Sequence, residues 1–181
     1  ANGLTYNMMV SPDSKWIAAV EYDANNSDYN RVILVNATDG TQKRFLSHAQ
    51  AVVDAVTFTP DSQQVITADE NGLVNVWEVA SGNKLYSLQT EGVIMSLAAS
   101  PNGKYMVAGI EETNQSVVWD LTSKTQVATL EQFGSINSTE FSPDGKLLAT
   151  GSSEGKILLW KAEDGSFARV EKQFSANGEV T

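Results

Sequence analysis

The sequence of 181 residues contains no cysteine and a single histidine, His48. Missing thiols exclude disulfides and thiolate metal sites, which fits a reducing compartment, and we expect a cytoplasmic protein. One imidazole cannot form a zinc-binding cluster, and a Ser-His-Asp triad would have to use His48. The sequence therefore predicts no metal site and no cofactor.

Long apolar runs and excess basic residues are also missing. No segment approaches the ~20 apolar residues of a membrane-spanning helix, and the first residues, ANGLTYNMM, lack the basic and apolar regions of a signal peptide. The 22 acidic residues outnumber 12 basic ones, for a net charge of -10. Such a chain is repelled by phosphate backbones and anionic lipid. Nucleic acid and membrane are thus not expected as partners, whereas a basic protein is compatible.

Residues that could assemble an active site are not evident. No glycine-rich phosphate loop precedes a helix, because no segment has a helical period. Glu111 and Glu112 are adjacent on a predicted connector, which favours solvated carboxylates over a glycosidase pair. We predict that the chain is not an enzyme.

A four-residue turn motif recurs along the chain. SPDS, TPDS, SPNG and SPDG begin at Ser11, Thr59, Ser100 and Ser142, with spacings of 48, 41 and 42 residues. Each lies between two short apolar-rich runs, such as AVTF and QQVITA around the second motif. Proline second, Asp or Asn third and Gly or Ser fourth is typical of type I turns. The motif predicts a hairpin that joins two strands, a and b.

A large apolar residue ends a third strand, c, in each unit. Val35, Trp77, Trp119 and Trp160 are spaced 42, 42 and 41 residues apart, and a turn and a fourth strand, d, follow each. Four short strands in about 42 residues predict an all-β fold of four-stranded antiparallel blades, as in a β-propeller. At one equivalent position per blade, the tryptophans are expected between blades rather than in a ligand cage.

The segment FSPDGKLLATGSSEGKILLWKAEDG (141–165) resembles a WD-repeat unit, and four such units in register cover nearly the whole chain. The terse repeats look like those of bacterial arrays. The resemblance implies a segment of a WD-repeat β-propeller, in the form of a partial or half propeller. The predicted blades span residues 1–47, 48–89, 90–131 and 132–173, and 174–181 would open a fifth repeat.

The family motifs are degenerate in this chain. Only Trp119–Asp120 keeps the Trp-Asp pair, and the Gly-His pair survives only as Ser47–His48. Six residues before each tryptophan, where we expect the tight-turn aspartate, the sequence has Asn71, Thr113 and Glu154. The resemblance therefore implies a structural role for His48 and a His–Asp–Trp hydrogen-bond network that is mostly absent.

The stretch EYDANNSDYNR (21–31) makes the first unit longer than the others. Asp23, Asn25 and Ser27 fit the first offsets of a calcium loop, but Asp28 stands where glycine is needed and Leu34 where a bidentate glutamate is needed. This b–c connector is therefore predicted to be a solvated loop or a partner contact. Tyr22 and Tyr29 favour a contact, because aromatic residues among polar groups suit interfaces.

Acidic residues concentrate in the b–c and d–a connectors, which share one face of the propellers that the chain resembles. This face carries ten acidic residues against Arg31 and Lys156: Glu21, Asp23, Asp28, Asp69, Glu70, Glu91, Glu111, Glu112, Glu131 and Glu154. The acidic loops either keep the protein soluble or dock a basic peptide or protein. The partner-binding candidates are Tyr22, Asp23, Asp28, Tyr29, Arg31, Glu70, Glu111, Glu112 and Glu154.

Four blades and the start of a fifth leave three arrangements open. The chain is a piece of a longer propeller, pairs with a copy of itself into an eight-blade ring, or closes alone as a four-blade ring. We predict a non-enzymatic scaffold for protein–protein interactions. The alternatives are the sensor propeller of a larger bacterial signalling protein and an enzyme or small-ligand site in a propeller channel.

Overall fold

The computed structural model describes residues 4–22, 31–40, 43–48, 51–111 and 113–175. These residues form sixteen strands and contain no helix. The chain divides into two compact units, unit 1 over Ala1–Thr90 and unit 2 over Glu91–Thr181. Each unit contains two four-stranded antiparallel sheets, so the predicted fold class is confirmed.

Unit 1 contains blade 1 and blade 2, and in both sheets the strand order follows the chain order. The strands of blade 1 are β1 (Leu4–Val10), β2 (Trp16–Tyr22), β3 (Arg31–Asn36) and β4 (Lys43–Ser47). Those of blade 2 are β5 (Val53–Phe58), β6 (Gln64–Asp69), β7 (Leu73–Glu78) and β8 (Lys84–Gln89). Hairpins therefore join every pair of neighbouring strands.

Unit 2 repeats this arrangement in blade 3 and blade 4. The strands of blade 3 are β9 (Ile94–Ala99), β10 (Tyr105–Ile110), β11 (Gln115–Asp120) and β12 (Thr125–Glu131). Those of blade 4 are β13 (Ile136–Phe141), β14 (Leu147–Ser152), β15 (Lys156–Lys161) and β16 (Arg169–Ser175). The four strands predicted for each repeat are thus all present.

The recurring turn motif is held by its own side chains. In each copy the first hydroxyl donates to the third residue at 2.6 to 2.7 Å, from Ser11 to Asp13, Thr59 to Asp61, Ser100 to Asn102 and Ser142 to Asp144. The fourth residue has a positive φ, for example 61° at Ser14 and 70° at Gly145. The short polar side chains therefore stabilise the chain reversal between strands a and b.

Apolar packing between two sheet faces forms the core of unit 1. One face of blade 1 contributes five fully buried aliphatic side chains: Ala18, Val20, Val32, Leu34 and Leu46. They pack with Val56, Phe58, Val65 and Trp77 of blade 2. In unit 2, Val107, Val118 and Leu130 of blade 3 pack in the same way with Phe141, Leu148 and Trp160 of blade 4. Trp77 and Trp160 thus lie between blades, as the repeat pattern predicted.

The last strand begins later than the sequence pattern suggested. The repeat pattern places strand d of the fourth blade directly after the turn that follows Trp160 and ends the blade at residue 173, but β16 spans Arg169–Ser175. Phe167 has a φ of 49° and is buried with its ring centroid 5.1 Å from that of Tyr105. This anchor keeps Ser166–Ala168 out of the strand, and Phe174 and Ser175 join blade 4. Residues 176–181, assigned to a fifth repeat, lie outside the described residues.

Candidate functional site

The acidic edge of unit 2 is the edge formed by its b–c and d–a connectors. Glu91, Glu131 and Glu154 are exposed there, and Glu111 is half-buried. In blade 3, Gln115 at the start of β11 pairs with Glu131 at the end of β12. In blade 4, Ile136 at the start of β13 pairs with Ser152 at the end of β14. The connectors at these strand ends therefore lie on the same edge of their sheet. Glu91, Glu111, Glu131 and Glu154 thus lie at this edge, and an acidic docking face stays a prediction.

Hydrogen bonds between blades hold the connectors of this edge in place. The Gly134 amide donates to Asn114 Oδ1 at 3.0 Å, and the Ser135 amide donates to Ser153 Oγ at 3.1 Å. In return the Ser153 amide donates to the Ser135 carbonyl at 2.9 Å. The edge is therefore a pre-formed surface, which lowers the ordering cost of binding.

A cleft of about 580 Å³ opens beside these connectors between blades 3 and 4. Phe133 lines it with 75% of its surface exposed, and Lys156 Nζ lies 5.3 Å from the centre of the Phe133 ring. Glu131, Lys156 and Arg169 also line the cleft, so its charge is mixed. An exposed aromatic ring next to carboxylates is typical of a protein-binding surface.

The candidates of unit 1 are placed differently. Arg31 is not a free surface cation, because its Nε donates to Glu21 Oε2 at 2.8 Å and its guanidinium lies 4.0 Å from the centre of the Phe45 ring. Glu70 is exposed, and its Oε1 accepts a hydrogen bond from the Val52 amide at 3.1 Å. Of the two, Glu70 presents its charge more openly.

Several candidates cannot be placed in the structure. Asp23, Asp28, Tyr29 and Glu112 lie outside the described residues, as do Asn25 and Ser27 of the calcium-loop comparison. Tyr22 ends β2, and its side chain is also outside the description. Their proposed role in partner binding stays a prediction.

A buried hydrogen-bond network connects strands β6 and β7 of blade 2 with the connector that precedes β5. His48 Nδ1 lies 3.0 Å from Asp69 Oδ2, and His48 Nε2 lies 2.5 Å from Thr67 Oγ1. The Trp77 indole N–H donates to the same Thr67 oxygen at 2.7 Å. His48 is thus fixed on both ring nitrogens and buried, which supports a structural role.

The aspartate of this network is not where the sequence pattern located it. Asp69 ends β6, eight residues before Trp77, and its Oδ1 accepts the amides of Asn71 and Leu73 at 3.0 and 3.1 Å. Assigning the turn position to Asn71 was therefore wrong. Asp69 is also 1% exposed, so it was wrongly counted among the surface acids.

Blade 4 contains a variant of the network with glutamine in place of histidine. The Trp160 indole N–H donates to Thr150 Oγ1 at 2.9 Å, and the Thr150 hydroxyl donates to Gln132 Oε1. Gln132 Nε2 donates to the Lys156 carbonyl at 2.9 Å. An amide that both donates and accepts can thus replace the imidazole in linking the strands.

The matching positions of blades 1 and 3 are mostly apolar. The register places Ala19 and Ala108 where blade 2 has Thr67, and Val35 where it has Trp77. The expected loss of the network is therefore correct for these two blades. It is wrong for blades 2 and 4, which retain or replace it.

Asp120, from the intact Trp-Asp pair, lies outside such a network. Its Oδ1 accepts the amides of Thr122 and Ser123 at 2.8 and 2.9 Å, in the turn after β11. The Ser123 amide is the main cause of a lowered pKa at Asp120. Hydroxyls of Ser11, Ser142 and Ser166 likewise lower the pKa values of Asp13, Asp144 and Asp164. These turns therefore favour ionised aspartates.

Replacing Asp144 with Asn should lower the free energy of unfolding at pH 7, with a difference from the wild type that shrinks as the pH falls. A folded-state pKa below the ordinary value of about 3.9 stabilises the fold above that value, and the stabilisation is lost as the pH falls through the folded pKa. Urea unfolding between pH 7 and pH 3 measures this. Asn102 occupies the same position in blade 3, so the amide fits the turn. A difference that stays constant with pH would contradict the proposed linkage.

Within the described ranges, no group of three or more His, Asp or Glu side chains could hold a metal ion. The same residues contain no helix long and apolar enough to cross a membrane.

Repeated four-stranded blades, tryptophans buried between them and a His–Thr–Trp network define a β-propeller of the WD-repeat class. Residues 39–78 and 124–161 match the model of the WD40 family, described as WD domain, G-beta repeat. These two segments include the tryptophans of blades 2 and 4, which also have the networks. The chain thus matches the WD-repeat family model in two places, as its motifs indicated.

Curated relatives share parts of this chain. A stretch of 59 residues, 33% of the chain, is 37% identical to "Small ribosomal subunit protein RACK1z" of Arabidopsis thaliana. Another of 74 residues, 41% of the chain, is 28% identical to "Ribosome biogenesis protein BOP1 homolog" of Dictyostelium discoideum. A third of 59 residues, 32% of the chain, is 41% identical to "U3 small nucleolar RNA-associated protein 18 homolog" of Mus musculus. The matches cover 18%, 9% and 11% of these relatives.

Proposed function

We propose that this chain is a non-enzymatic protein-interaction scaffold whose acidic edge docks a basic protein or peptide. The observation that carries the proposal is the exposure of Glu91, Glu131 and Glu154 along one pre-formed edge of unit 2. Carboxylates on one edge attract a cationic partner over a distance of about the Debye length, roughly 8 Å at physiological salt. The expected partner is therefore rich in Lys and Arg.

Phe133 offers an aromatic packing contact in addition to the charge of the carboxylates. Its exposed ring lies at the mouth of the cleft, where an apolar or guanidinium side chain of the partner can pack on it. The names of the relatives refer to the ribosomal subunit, ribosome biogenesis and a nucleolar RNA. A basic protein from such a particle, bound without direct contact to nucleic acid, is one partner class that suits a cytoplasmic scaffold with an acidic edge.

The test uses a fluorescently labelled Lys/Arg-rich peptide and, as its control, an Asp/Glu-rich peptide of equal length. We expect anisotropy to show binding of the basic peptide alone, weaker at higher salt. Glu131→Lys and Glu154→Lys should each weaken binding about threefold to tenfold, because each replaces attraction by repulsion at an exposed site. Glu163→Lys is the matched control, since its side chain is 68% exposed in a c–d turn.

If Glu163→Lys weakened binding equally, the loss would come from the net charge of the protein, and the proposal of a specific acidic edge would be rejected.

The candidates of the 21–31 connector are tested in the same assay. Tyr22→Ala and Tyr29→Ala should weaken binding if this connector contributes, with an unchanged circular dichroism spectrum. Unaltered affinity in both variants would show that this connector of unit 1 does not bind the peptide.

A further inference from the structure

The cleft between blades 3 and 4 carries positive charge in a strongly acidic protein. Lys156 of β15 and Arg169 of β16 line it from blade 4, and Glu131 of β12 lines it from blade 3. The chain as a whole has a net charge of -10. A cleft of about 580 Å³ is large enough to take one or two side chains of a bound peptide. Its charge raises the question of which chemical group it accepts.

Lys156 is held in place at this cleft. Its carbonyl accepts the hydrogen bond from Gln132 Nε2 at 2.9 Å, and Gln132 is 5% exposed within the buried network of blade 4. Its Nζ lies 5.3 Å from the centre of the Phe133 ring. No carboxylate of the described ranges forms an ion pair with this half-buried ammonium. A positioned cation without an ion pair is available to an anionic group of a ligand.

The other residues that line the cleft suit an anionic group attached to an apolar one. Leu158 and the exposed ring of Phe133 provide apolar surface. Thr113 Oγ1 is buried and has no hydrogen-bond partner among the residues that the structure describes. Such a hydroxyl is costly to leave unpaired. Rotation about the Thr113 Cα–Cβ bond would let it donate to an oxygen atom of a ligand in the cleft.

We propose that the cleft binds a carboxylate of the docked basic peptide through the Lys156 ammonium, with the adjoining side chain of the peptide packed on Phe133. This inference rests on the proposed function, because the net charge of the protein repels a free carboxylate and a basic peptide carries one to the cleft. A phosphate group, with a charge of about -2, would meet stronger repulsion from Glu131. The carboxylate belongs either to the C-terminus of the peptide or to an Asp or Glu side chain.

The test compares Lys/Arg-rich peptides of equal length by fluorescence anisotropy. One ends in a free carboxylate, one ends in an amide, and one has the amide end and a glutamate in place of an internal glutamine. The acidic edge alone favours the amidated peptide, because its net positive charge is the highest. We expect the reverse, with a carboxylate peptide bound about threefold to tenfold more tightly than the amidated one. The peptide that gains affinity identifies the source of the carboxylate.

Lys156→Gln should remove the advantage of the carboxylate peptide. It should leave the amidated peptide bound as tightly or more tightly, because the protein becomes more acidic. Lys161→Gln is the matched control, since Lys161 is exposed at the other end of β15 and does not line the cleft. This control removes the same charge and should retain the advantage. Thr113→Val should reduce the advantage and leave the affinity for the amidated peptide unchanged. Circular dichroism checks the fold of every variant.

The outcomes separate this inference from the proposed function. Tighter or equal binding of the amidated peptide to the wild type would overturn the carboxylate site and leave the acidic edge standing. An advantage that survives in Lys156→Gln would also overturn the site, because the carboxylate would then be bound elsewhere. If none of the peptides bound, the proposed function would be rejected and this inference with it.

Discussion

Replacing Asp69 with Ala should lower the free energy of unfolding of blade 2 by about 2–4 kcal/mol. The substitution removes the acceptor of the Asn71 and Leu73 amides and the partner of His48 Nδ1. These groups are part of a turn and a buried network, so water cannot readily replace the carboxylate. Asp69→Asn retains one acceptor oxygen and should cost less.

Asp61→Ala is the matched control for Asp69→Ala. Asp61 is exposed in the a–b turn of the same blade and accepts from Thr59 and Gln63. Because repeat arrays need not unfold in one step, hydrogen exchange of the β6 and β7 amides is the suitable measurement. Equal loss of protection in both variants would show that the buried network adds nothing beyond an ordinary turn.

Gly109→Ala should destabilise unit 2 by about 1–3 kcal/mol. A Cβ at Gly109 would lie 2.5 Å from Ser96 Oγ and 2.7 Å from the Ile136 carbonyl oxygen. The serine can rotate, but the carbonyl belongs to the backbone of β13 in the neighbouring blade. The substitution must therefore move blades 3 and 4 apart and loosen the packing around Val107 and Leu148.

Gly151→Ala provides the matched control, because Gly151 has the same register in blade 4. There the nearest atom to an added Cβ is Ser138 Cβ, at an ordinary contact distance of 3.7 Å. Urea unfolding followed by tryptophan fluorescence should show a lower midpoint for Gly109→Ala and no loss for Gly151→Ala. A similar loss in both would attribute the effect to the strand rather than to the contact between blades.

The strands were predictable from the sequence because their pairing is local. The turns at Ser11, Thr59, Ser100 and Ser142 mark the a–b hairpins, and the apolar residue that ends strand c marks the position of the next turn. The start of β16 was not predictable, because it depends on Phe167 packing with Tyr105 more than sixty residues earlier.

The networks and the cleft were harder to predict because they form between strands. Counting back from the tryptophan placed the aspartate at Asn71, whereas the register of β6 and β7 places Asp69 in the network. A signal for the rest was present: His48, Thr90 and Gln132 recur every 42 residues, and Thr67 and Thr150 each precede a tryptophan by ten. Phe133 has no such pattern, since its exposure depends on the connector that precedes β13.

The order of strands in each sheet also determines how the chain can acquire its structure. Every strand pairs with its neighbour in sequence, so a blade needs no residue from outside its own segment to complete its hydrogen-bond ladder. Short loops close fast and at small entropic cost. During synthesis, each sheet can therefore form as soon as its fourth strand leaves the ribosome, and the next one can pack on a surface that already exists.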